Sequence, residues 1–507
     1  MGRDLRFCVC CFSVTLLFSL PASAARLILE PSLQLKETYT DNITFSEPKQ
    51  DDFVSEINPE LGLRAEGNRL NANLGLALQN LFYANDSSRN SRYHTFGADV
   101  SAELLKDSGF LNLRASDTQR VVSPSRGLPL DNLTTAKRTD VQALAVNPFV
   151  KRRIGSKAEA SASYSYEMLR YEEGASDARV DSVEASLVSG AFFQRLSWSM
   201  NYSARTTRRQ SASDYSRESS VFQALYRVSN KFGALLRVGT ERNDLGTTQY
   251  LGYRNGSYYA AGVSIAPHST FKIDLLKGNW LDAISVAWKP SPRTEVDISW
   301  EDRRVGLNIG EVWSVRARLD NRRTSLRASY TEDIASVQSL QSLGAGFQQV
   351  RSSASARSNR PVSPPPGNDL SNGAFQLSNA LFLRKRAQFS LGYRTAKSEF
   401  SFLLYGERRE LLDTDDREQL RGGAISWRWR FGARTDMLLR FRALKSEYRA
   451  SVGGGGGGFR SAGVIVNRRV GRKVEGSLVA RNVSQDGLIG GFNYNENRLS
   501  VSVKRVF

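Results

Sequence analysis

The clearest structural pattern in the sequence is Ile425-Ser426-Trp427-Arg428-Trp429-Arg430-Phe431. Apolar and polar residues alternate throughout it, so in an extended strand the Ile, Trp, Trp and Phe side chains share one face and Ser and both Arg the other. The alternation returns after a turn at 432–434, in Leu439-Arg440-Phe441-Arg442. Two such segments joined by a short turn predict an antiparallel hairpin.

The same period of two recurs along most of the chain, for example in residues 72–78 and 313–319. Alternating strands over such a length fit a series of soluble β-sandwiches or propeller blades, or one closed transmembrane barrel with apolar residues outside. The connections favour the barrel because short and long ones alternate, and aromatic residues cluster toward the strand ends. Short turns are predicted at 67–68, 153–156, 229–230, 320–322, 432–434 and 469–472, and longer polar loops at 41–52, 84–92, 122–139, 207–216, 243–254, 333–372 and 449–456. The sequence therefore predicts an all-β protein, a single closed antiparallel transmembrane barrel of about 20–24 strands.

Composition excludes several other classes. The 507 residues are 40% hydrophobic, and no run after residue 25 reaches the roughly 18 apolar residues that a spanning helix needs, which excludes a polytopic helical membrane protein. Two His and three Cys offer little material for a metal or thiol site, and we expect neither a metal nor another cofactor. Segment 387–409 leaves the strand count open, because it reads as one long strand or as two split near Lys397.

The first 24 residues are typical of a secretory signal peptide. Arg3 and Arg6 precede an apolar stretch, and Ala22-Ser23-Ala24 supplies the small residues of a cleavage site. A membrane anchor is the alternative, but the apolar stretch is short for one. All three cysteines would leave with this segment, and a large exported chain without disulfides points to a Gram-negative envelope. Residues 25–507 are then predicted to form the barrel, without a plug domain because strand patterning begins at Leu27.

The end of the chain carries a second membrane signal. Leu499, Val501, Val503 and Phe507 share one face of the last segment, which resembles the C-terminal assembly signal of bacterial outer-membrane barrels. Arg505 departs from that pattern. An Arg there would cost about 2–4 kcal/mol at mid-bilayer but little at the interface, where this strand ends.

Several stretches resemble one known family. They are Pro31 to Ile43, containing Thr-Tyr-Thr-Asp-Asn, then Asp52-Phe53 with Ile57-Asn58-Pro59, Trp288 to Thr294, and Arg322 to Asp333. The family is the outer-membrane β-barrel proteins associated with PEP-CTERM/exosortase exopolysaccharide loci. The resemblance implies an outer-membrane location and a part in polysaccharide production or export, and it implies no catalytic residues. Turn and strand-start chemistry is the preferred interpretation of the motifs themselves.

Candidate groups for catalysis are few. His94 and His268 are far apart in sequence, and neither lies near a nucleophile elbow. Asp413, Asp415 and Asp416 offer carboxylates for Ca²⁺ or for sugar hydrolysis, although a solvated loop is the simpler interpretation. We therefore predict that the chain is not an enzyme. The run of glycines from 453 to 458 is interpreted as a flexible loop, since no Lys-Ser/Thr follows it.

Charge is the most informative chemical feature. Lys and Arg outnumber Asp and Glu by 70 to 51, giving a formal charge of +19, and the Arg residues lie on the polar face of the clearest strands. We expect a basic lumen wall, on four neighbouring strands, from Arg316, Arg318, Arg327, Arg428, Arg430, Arg440 and Arg442. Such a wall would concentrate anions, unless each Arg pairs with a lumenal carboxylate or with lipopolysaccharide phosphates. Nucleic-acid binding is not expected of an exported barrel.

The leading hypothesis is an outer-membrane barrel that takes part in exopolysaccharide export, its lumen contacting an anionic polymer. The expected partners are outer-membrane lipid, lipopolysaccharide, the β-barrel assembly machinery and an anionic polysaccharide. Three alternatives remain open: a general porin for anionic solutes, a barrel enzyme that trims lipid or polysaccharide, and a scaffold whose lumen is closed by the long loop 333–372.

Overall fold

The computed structural model describes one closed sheet of 24 antiparallel strands. The described residues are 26–121, 133, 138–244, 255–306, 309–336, 340, 380–412, 414, 416–449, 454–487 and 493–507. Signal-peptide residues 1–24 lie outside them, so that assignment stays a prediction. Within these described ranges, no helix is long and apolar enough to cross a membrane.

The strands follow one another around the barrel in chain order. The first twelve are β1 (Arg26–Thr40), β2 (Asp52–Glu66), β3 (Leu70–Tyr83), β4 (Ser91–Leu105), β5 (Gly109–Val121), β6 (Arg138–Ile154), β7 (Ala158–Tyr171), β8 (Ala178–Ser189), β9 (Leu196–Arg209), β10 (Tyr215–Arg227), β11 (Phe232–Asn243) and β12 (Gly256–His268). The second twelve are β13 (Phe271–Gly278), β14 (Leu281–Ser291), β15 (Thr294–Arg303), β16 (Gly310–Asp320), β17 (Thr324–Ser336), β18 (Leu381–Arg394), β19 (Ser398–Leu411), β20 (Arg417–Arg430), β21 (Thr435–Arg449), β22 (Gly454–Val470), β23 (Val474–Asp486) and β24 (Tyr494–Val506). A single-turn 3-10 helix at Ser87–Arg89 lies between β3 and β4.

Pairing between the first and last strands closes the barrel. β1 and β24 are antiparallel, in register from Ser32 opposite Val506 to Thr40 opposite Arg498. The predicted closed barrel is confirmed, and its 24 strands fall within the predicted number. Segment 387–409 belongs to two strands, β18 and β19, that are separated at residues 395–397.

The two rims of the barrel differ as the turn lengths predict. Both ends of the described chain and the short turns lie at one rim, and most longer connections lie at the other. In outer-membrane barrels the short turns are periplasmic, so we call these the periplasmic rim and the outer rim. The predicted start of the long loop at residue 333 is too early, because β17 continues through Ser336 and pairs with β18 up to that residue. Apart from Leu340, residues 337–379 lie outside the described part, and so does the proposed closure of the lumen by that loop.

The hairpin of β20 and β21 has its apolar and polar side chains on the predicted faces. Ile425 and Phe441 are paired and lie on the outside, 51% and 46% exposed. Trp427 lies on the same face and stacks on Phe400 at 5.5 Å between ring centroids. Arg428 is on the opposite face and points into the lumen. An apolar exterior and a polar interior are the pattern of outer-membrane barrels.

The last strand also has its predicted facing. Leu499, Val501 and Val503 point outward and are 48%, 52% and 49% exposed. The Phe507 N–H donates to the carbonyl of Pro31 at 3.0 Å, which holds the terminal residue at the periplasmic rim. The Arg505 guanidinium lies 5.2 Å from the centroid of the Phe507 ring. This cation therefore sits at the rim rather than at mid-bilayer, which explains why it is tolerated.

The predicted glycine loop at 453–458 is wrong. Gly454 to Gly458 open β22, where they pair with residues 445–449 of β21; Gly453 lies outside the described residues. Glycine has no side chain to contribute an alternating pattern, but its backbone can still form ladder hydrogen bonds. The strand is specified here by its partner.

Candidate functional site: the lumen

The lumen has an outer half, next to the outer rim, and an inner half, next to the periplasmic rim. In the outer half, inward-facing apolar side chains are buried on strands all around the barrel. Examples with at most 5% exposure are Val54, Leu81, Val141, Leu169, Val180, Phe382, Leu420 and Val483. An open aqueous pore would leave such side chains in contact with water, so this half of the lumen is filled.

The connection between β1 and β2, residues 41–51, contributes to this filling, and we call it the lid segment. It folds into the lumen, where Phe45 stacks on Tyr494 with 4.2 Å between ring centroids. Phe45 belongs to a buried cluster on the inner faces of β19–β24, formed with Leu403, Tyr405, Leu420, Leu444, Phe459, Val483 and Tyr494. Ile43 packs in a separate cluster with Val54, Leu81, Tyr83 and Leu133. The lid segment thus contacts the lumen wall on both sides of the β1–β24 seam.

Polar contacts fix the start of the lid segment. Asn42 donates to the carbonyls of Ser46 and Asn495 at 3.1 and 3.3 Å. Asp41 accepts bonds from the Asn497 N–H at 2.7 Å and from Lys49 at 2.9 Å. Burial raises the pKa of Asp41, but these bonds outweigh it and lower the pKa below its usual value. The Asp-Asn motif therefore has the turn role preferred from the sequence.

Charged groups in the outer half form close pairs. Glu407 and Arg409 are bonded at 2.6 Å, with only 2% and 8% of their side chains exposed. Arg384 binds both carboxylate oxygens of Asp333, at 2.9 and 2.7 Å. The Arg409 guanidinium also lies 4.5 Å from the Phe382 ring centroid. Within each pair the opposite charges cancel, which leaves little charge available to a ligand.

Arginines in the inner half are much more exposed. Arg318 and Arg327 are 58% and 57% exposed and share Asp320, which lies 3.8 Å from Arg327. Arg428 is 30% exposed, 3.9 Å from Asp436. Arg316 and Arg430 face the lumen, are exposed, and form no ion pair within the described part of the chain, although Asp297 is the cross-strand neighbour of Arg316. The carboxylates therefore neutralise this wall only in part.

The predicted basic residues do not lie on four neighbouring strands. Arg316, Arg318 and Arg327 are on β16 and β17, and Arg428, Arg430, Arg440 and Arg442 are on β20 and β21. The strands β18 and β19 separate the two groups. The prediction missed this separation because the sequence left the strand count of this region open. Arg440 and Arg442 are partly buried farther up β21.

A residue missed from the sequence joins the two groups. Arg394 faces the lumen from β18, is 62% exposed, and bonds to Glu399 at 3.0 Å. Phe389, Leu391 and Tyr393 alternate on the outside, so the next residue, Arg394, falls on the lumen side. This alternation could have identified it. We call Arg316, Arg318, Arg327, Arg394, Arg428 and Arg430 the arginine strip.

Small neutral polar residues line the opposite wall, on β7–β10. We call it the serine wall, and its inward-facing members are Ser161, Ser163, Ser165, Ser182, Ser186, Ser199, Asn201, Ser203, Ser219 and Gln223. Several of them border a cavity of about 720 Å³. Ser186 donates to Asn201 at 2.9 Å, whereas Glu184 beside them is exposed and forms no ion pair with a described residue. This wall can bind hydroxyl groups without demanding charge.

The candidate catalytic residues do not form one site. His94 on β4 bonds to Asp117 at 3.0 Å, and His268 at the end of β12 bonds to Thr270 at 2.9 Å. Asp413 and Asp415 lie outside the described residues, and Asp416 accepts a bond from the Tyr448 hydroxyl at 3.1 Å. In the described ranges, no group of three or more His, Cys, Asp or Glu residues is placed to hold a metal.

Several solved receptors and transporters are similar to this chain over most of its length. The siderophore receptor PirA from Acinetobacter baumannii has a TM-score of 0.46 and 7% identity, covering 94% of this chain and 80% of that one. The FrpB iron transporter from Neisseria meningitidis (F3-3 variant) has a TM-score of 0.48 and 9% identity, covering 94% and 81%. The ferric enterobactin receptor PfeA from Pseudomonas aeruginosa has a TM-score of 0.45 and 10% identity, covering 94% and 80%. No protein-family model and no curated protein matches the chain.

Proposed function

We propose that this barrel takes part in the export of an anionic exopolysaccharide across the outer membrane. The observation that carries the proposal is the arginine strip, a row of exposed guanidinium groups on the inner-half wall. A pore wall with an excess of positive charge inside a low-dielectric protein focuses its field and raises the local concentration of anions. Polymer carboxylates entering from the periplasm would meet this field first.

The two walls of the inner half suit the two chemical groups of an acidic polysaccharide. Arg394 and Arg327, more than half exposed, can each bind a carboxylate through paired N–H donors. The serine wall, across the lumen, can bond to sugar hydroxyls through residues such as Ser203 and Asn201. The proposed mechanism is threading of the polymer between these walls, with no bond made or broken.

An anion porin is the second candidate, because the arginine strip would also serve small anions. The filled outer half disfavours it, since a porin keeps an open aqueous channel. An export conduit, by contrast, can be closed at rest and open when the lid segment moves. Single-channel recordings separate the two: a porin conducts steadily without polymer, whereas a closed conduit does not.

The resemblance to barrels of PEP-CTERM/exosortase exopolysaccharide loci supports the same proposal and adds a genetic context to it. We propose further that the signal peptide exports the chain, and that β24, ending in Phe507, is the segment that the β-barrel assembly machinery reads. Fusing residues 1–24 to a periplasmic reporter tests export. Phe507→Ala tests assembly, with loss of the heat-modifiable band expected.

The experiment that tests the function is deletion of the gene in the native host, followed by fractionation of exopolysaccharide. We expect polysaccharide to fall outside the cell and to accumulate in the periplasm, and a plasmid copy of the wild-type gene to reverse both changes. Unchanged amounts in medium, cell surface and periplasm would contradict an export role.

A further inference from the structure

A cluster of cationic side chains lies on the outside of the barrel, near the outer rim of β19–β22. It consists of Arg408, Arg417, Arg421, Lys445 and Arg449, which line a cavity of about 610 Å³. The pairing register places these residues on the same face as Ile425 and Phe441, which point toward lipid. The cluster is therefore separate from the lumen and from the arginine strip.

The cluster carries more positive charge than its neighbours neutralise. Glu410 pairs with Arg408 at 2.6 Å, and Glu447 pairs with Lys445 at 2.8 Å. Within the described part of the chain, no ion pair forms to Arg417, Arg421 or Arg449.

Like charges also face each other directly across the ladder. Arg421 lies opposite Lys445, and Arg417, whose other cross-strand neighbour is Glu410, lies opposite Arg449. Such cross-strand pairs are destabilising on their own. An anion bound from outside the barrel would remove that cost.

The glycine run forms the floor beside these cations. Gly454, Gly456 and Gly458 are the outward positions of β22, opposite Arg449, Glu447 and Lys445. A Cβ at Gly456 would lie only 2.9 Å from the Ser446 carbonyl oxygen. Because no side chain rises from these positions, a groove remains open next to the charged residues. We call the groove and the cations around it the glycine groove.

The height of the glycine groove indicates what it meets. On and just after β20, the outward residues are apolar from Gly423 to Phe431, a span close to the roughly 9–11 residues with which a tilted strand crosses a bilayer. Arg421 is the next outward residue toward the outer rim, and Lys445 is its direct neighbour. These two cations thus lie at the level of the outer-leaflet head groups.

We propose that the glycine groove binds the phosphorylated head group of an outer-leaflet glycolipid of the lipid A type. Arg421, Arg417 and Arg449 would bind its phosphate oxygens through charge-assisted hydrogen bonds, which are stronger than those to neutral acceptors. The glycine floor would accept the sugar that carries the phosphate, and the acyl chains would run down over Phe441 and Ile425. The site fixes one lipid against β19–β22.

The test uses the full-length barrel in nanodiscs of phosphatidylcholine containing diphosphorylated lipid A, with retained lipid counted by native mass spectrometry. We expect the wild type to retain lipid A, and the triple variant Arg417→Gln/Arg421→Gln/Arg449→Gln to retain at least tenfold less. The matched control is Arg152→Gln/Arg468→Gln/Arg472→Gln, which removes equal charge at the periplasmic rim and is expected to behave as wild type. All variants must keep a heat-modifiable band.

A second variant separates the groove from the charge. Gly456→Leu keeps every cation and fills the groove, so we expect it to lose lipid A as well. If it fails to fold, lipid A without phosphate on the wild type tests the phosphate contacts without any substitution, and we expect loss of retention. Equal retention by the wild type and the Arg417 triple variant, or equal loss in the control, would overturn the proposal. So would displacement of lipid A by an acidic polysaccharide, which would make the groove a polymer site.

Discussion

The outer and inner halves of the lumen are built from the same alternating strands, yet they treat charge in opposite ways. In the outer half, the side chains of Glu407 and Arg409 are bonded at 2.6 Å and almost fully buried. In the inner half, Arg327 is 57% exposed and its carboxylate partner is 3.8 Å away. A buried pair is committed to its partner because losing it would leave a buried charge, whereas an exposed pair contributes little. The outer half therefore holds the structure, and the inner half is free to bind ligands.

The largest expected effect comes from breaking a buried pair. Arg409→Ala leaves Glu407 buried without its cation, and we expect a loss of about 3–5 kcal/mol in the free energy of unfolding. The matched change Arg327→Ala, in the inner half, should cost less than about 1 kcal/mol. Urea unfolding in detergent, followed by heat-modifiable migration, measures both. Equal costs would remove the distinction between the halves.

The lid segment gives the next effect. Phe45→Ala removes a ring that is 8% exposed and stacked on Tyr494, and burial of this kind is worth about 3–5 kcal/mol in a fully packed core. Since only the lid segment loses packing, we expect faster tryptic cleavage after Lys49 while the barrel stays folded. Phe82→Ala, on the lipid-facing side, is the control. Unchanged cleavage would mean that Phe45 does not hold the lid segment.

A smaller effect distinguishes the lipid-facing side of β20 from its lumen-facing side. Trp427→Arg places a charge in lipid and should cost up to about 2–4 kcal/mol near mid-bilayer, which impairs insertion. Arg428→Gln, one residue on, faces the lumen and should leave folding and insertion intact. The heat-modifiable band tests both variants, and its equal loss would show that the assigned facing is wrong.

The fold could be predicted from the sequence because a barrel places the same two environments, lipid and lumen, on every strand. The apolar Trp427 and the charged Arg428 indicate which side of their strand faces lipid and which faces the lumen, and Phe507 indicates the closing strand. The number of strands between Arg327 and Arg428 was harder to obtain. Segment 387–409 between them reads as one strand or as two, and the predicted basic wall counted neither β18 nor β19.

The lid segment and the glycine groove could not be predicted from periodicity. Ile43 and Phe45 stand in a polar loop, and nothing in their spacing shows that the loop turns into the lumen. Gly454 to Gly458 have no side chains to alternate, and only the β21 register reveals them as strand. Arg394 is different, because its alternation with Tyr393 was present in the sequence and needed only the correct strand boundary.

The proposed export of an anionic polysaccharide depends on the arginine strip. Its test is to replace the native gene with a variant in which all six residues of the strip are changed to Gln, and to fractionate exopolysaccharide. We expect polysaccharide trapped in the periplasm although the barrel is folded and present in the outer membrane. Wild-type amounts outside the cell would contradict it.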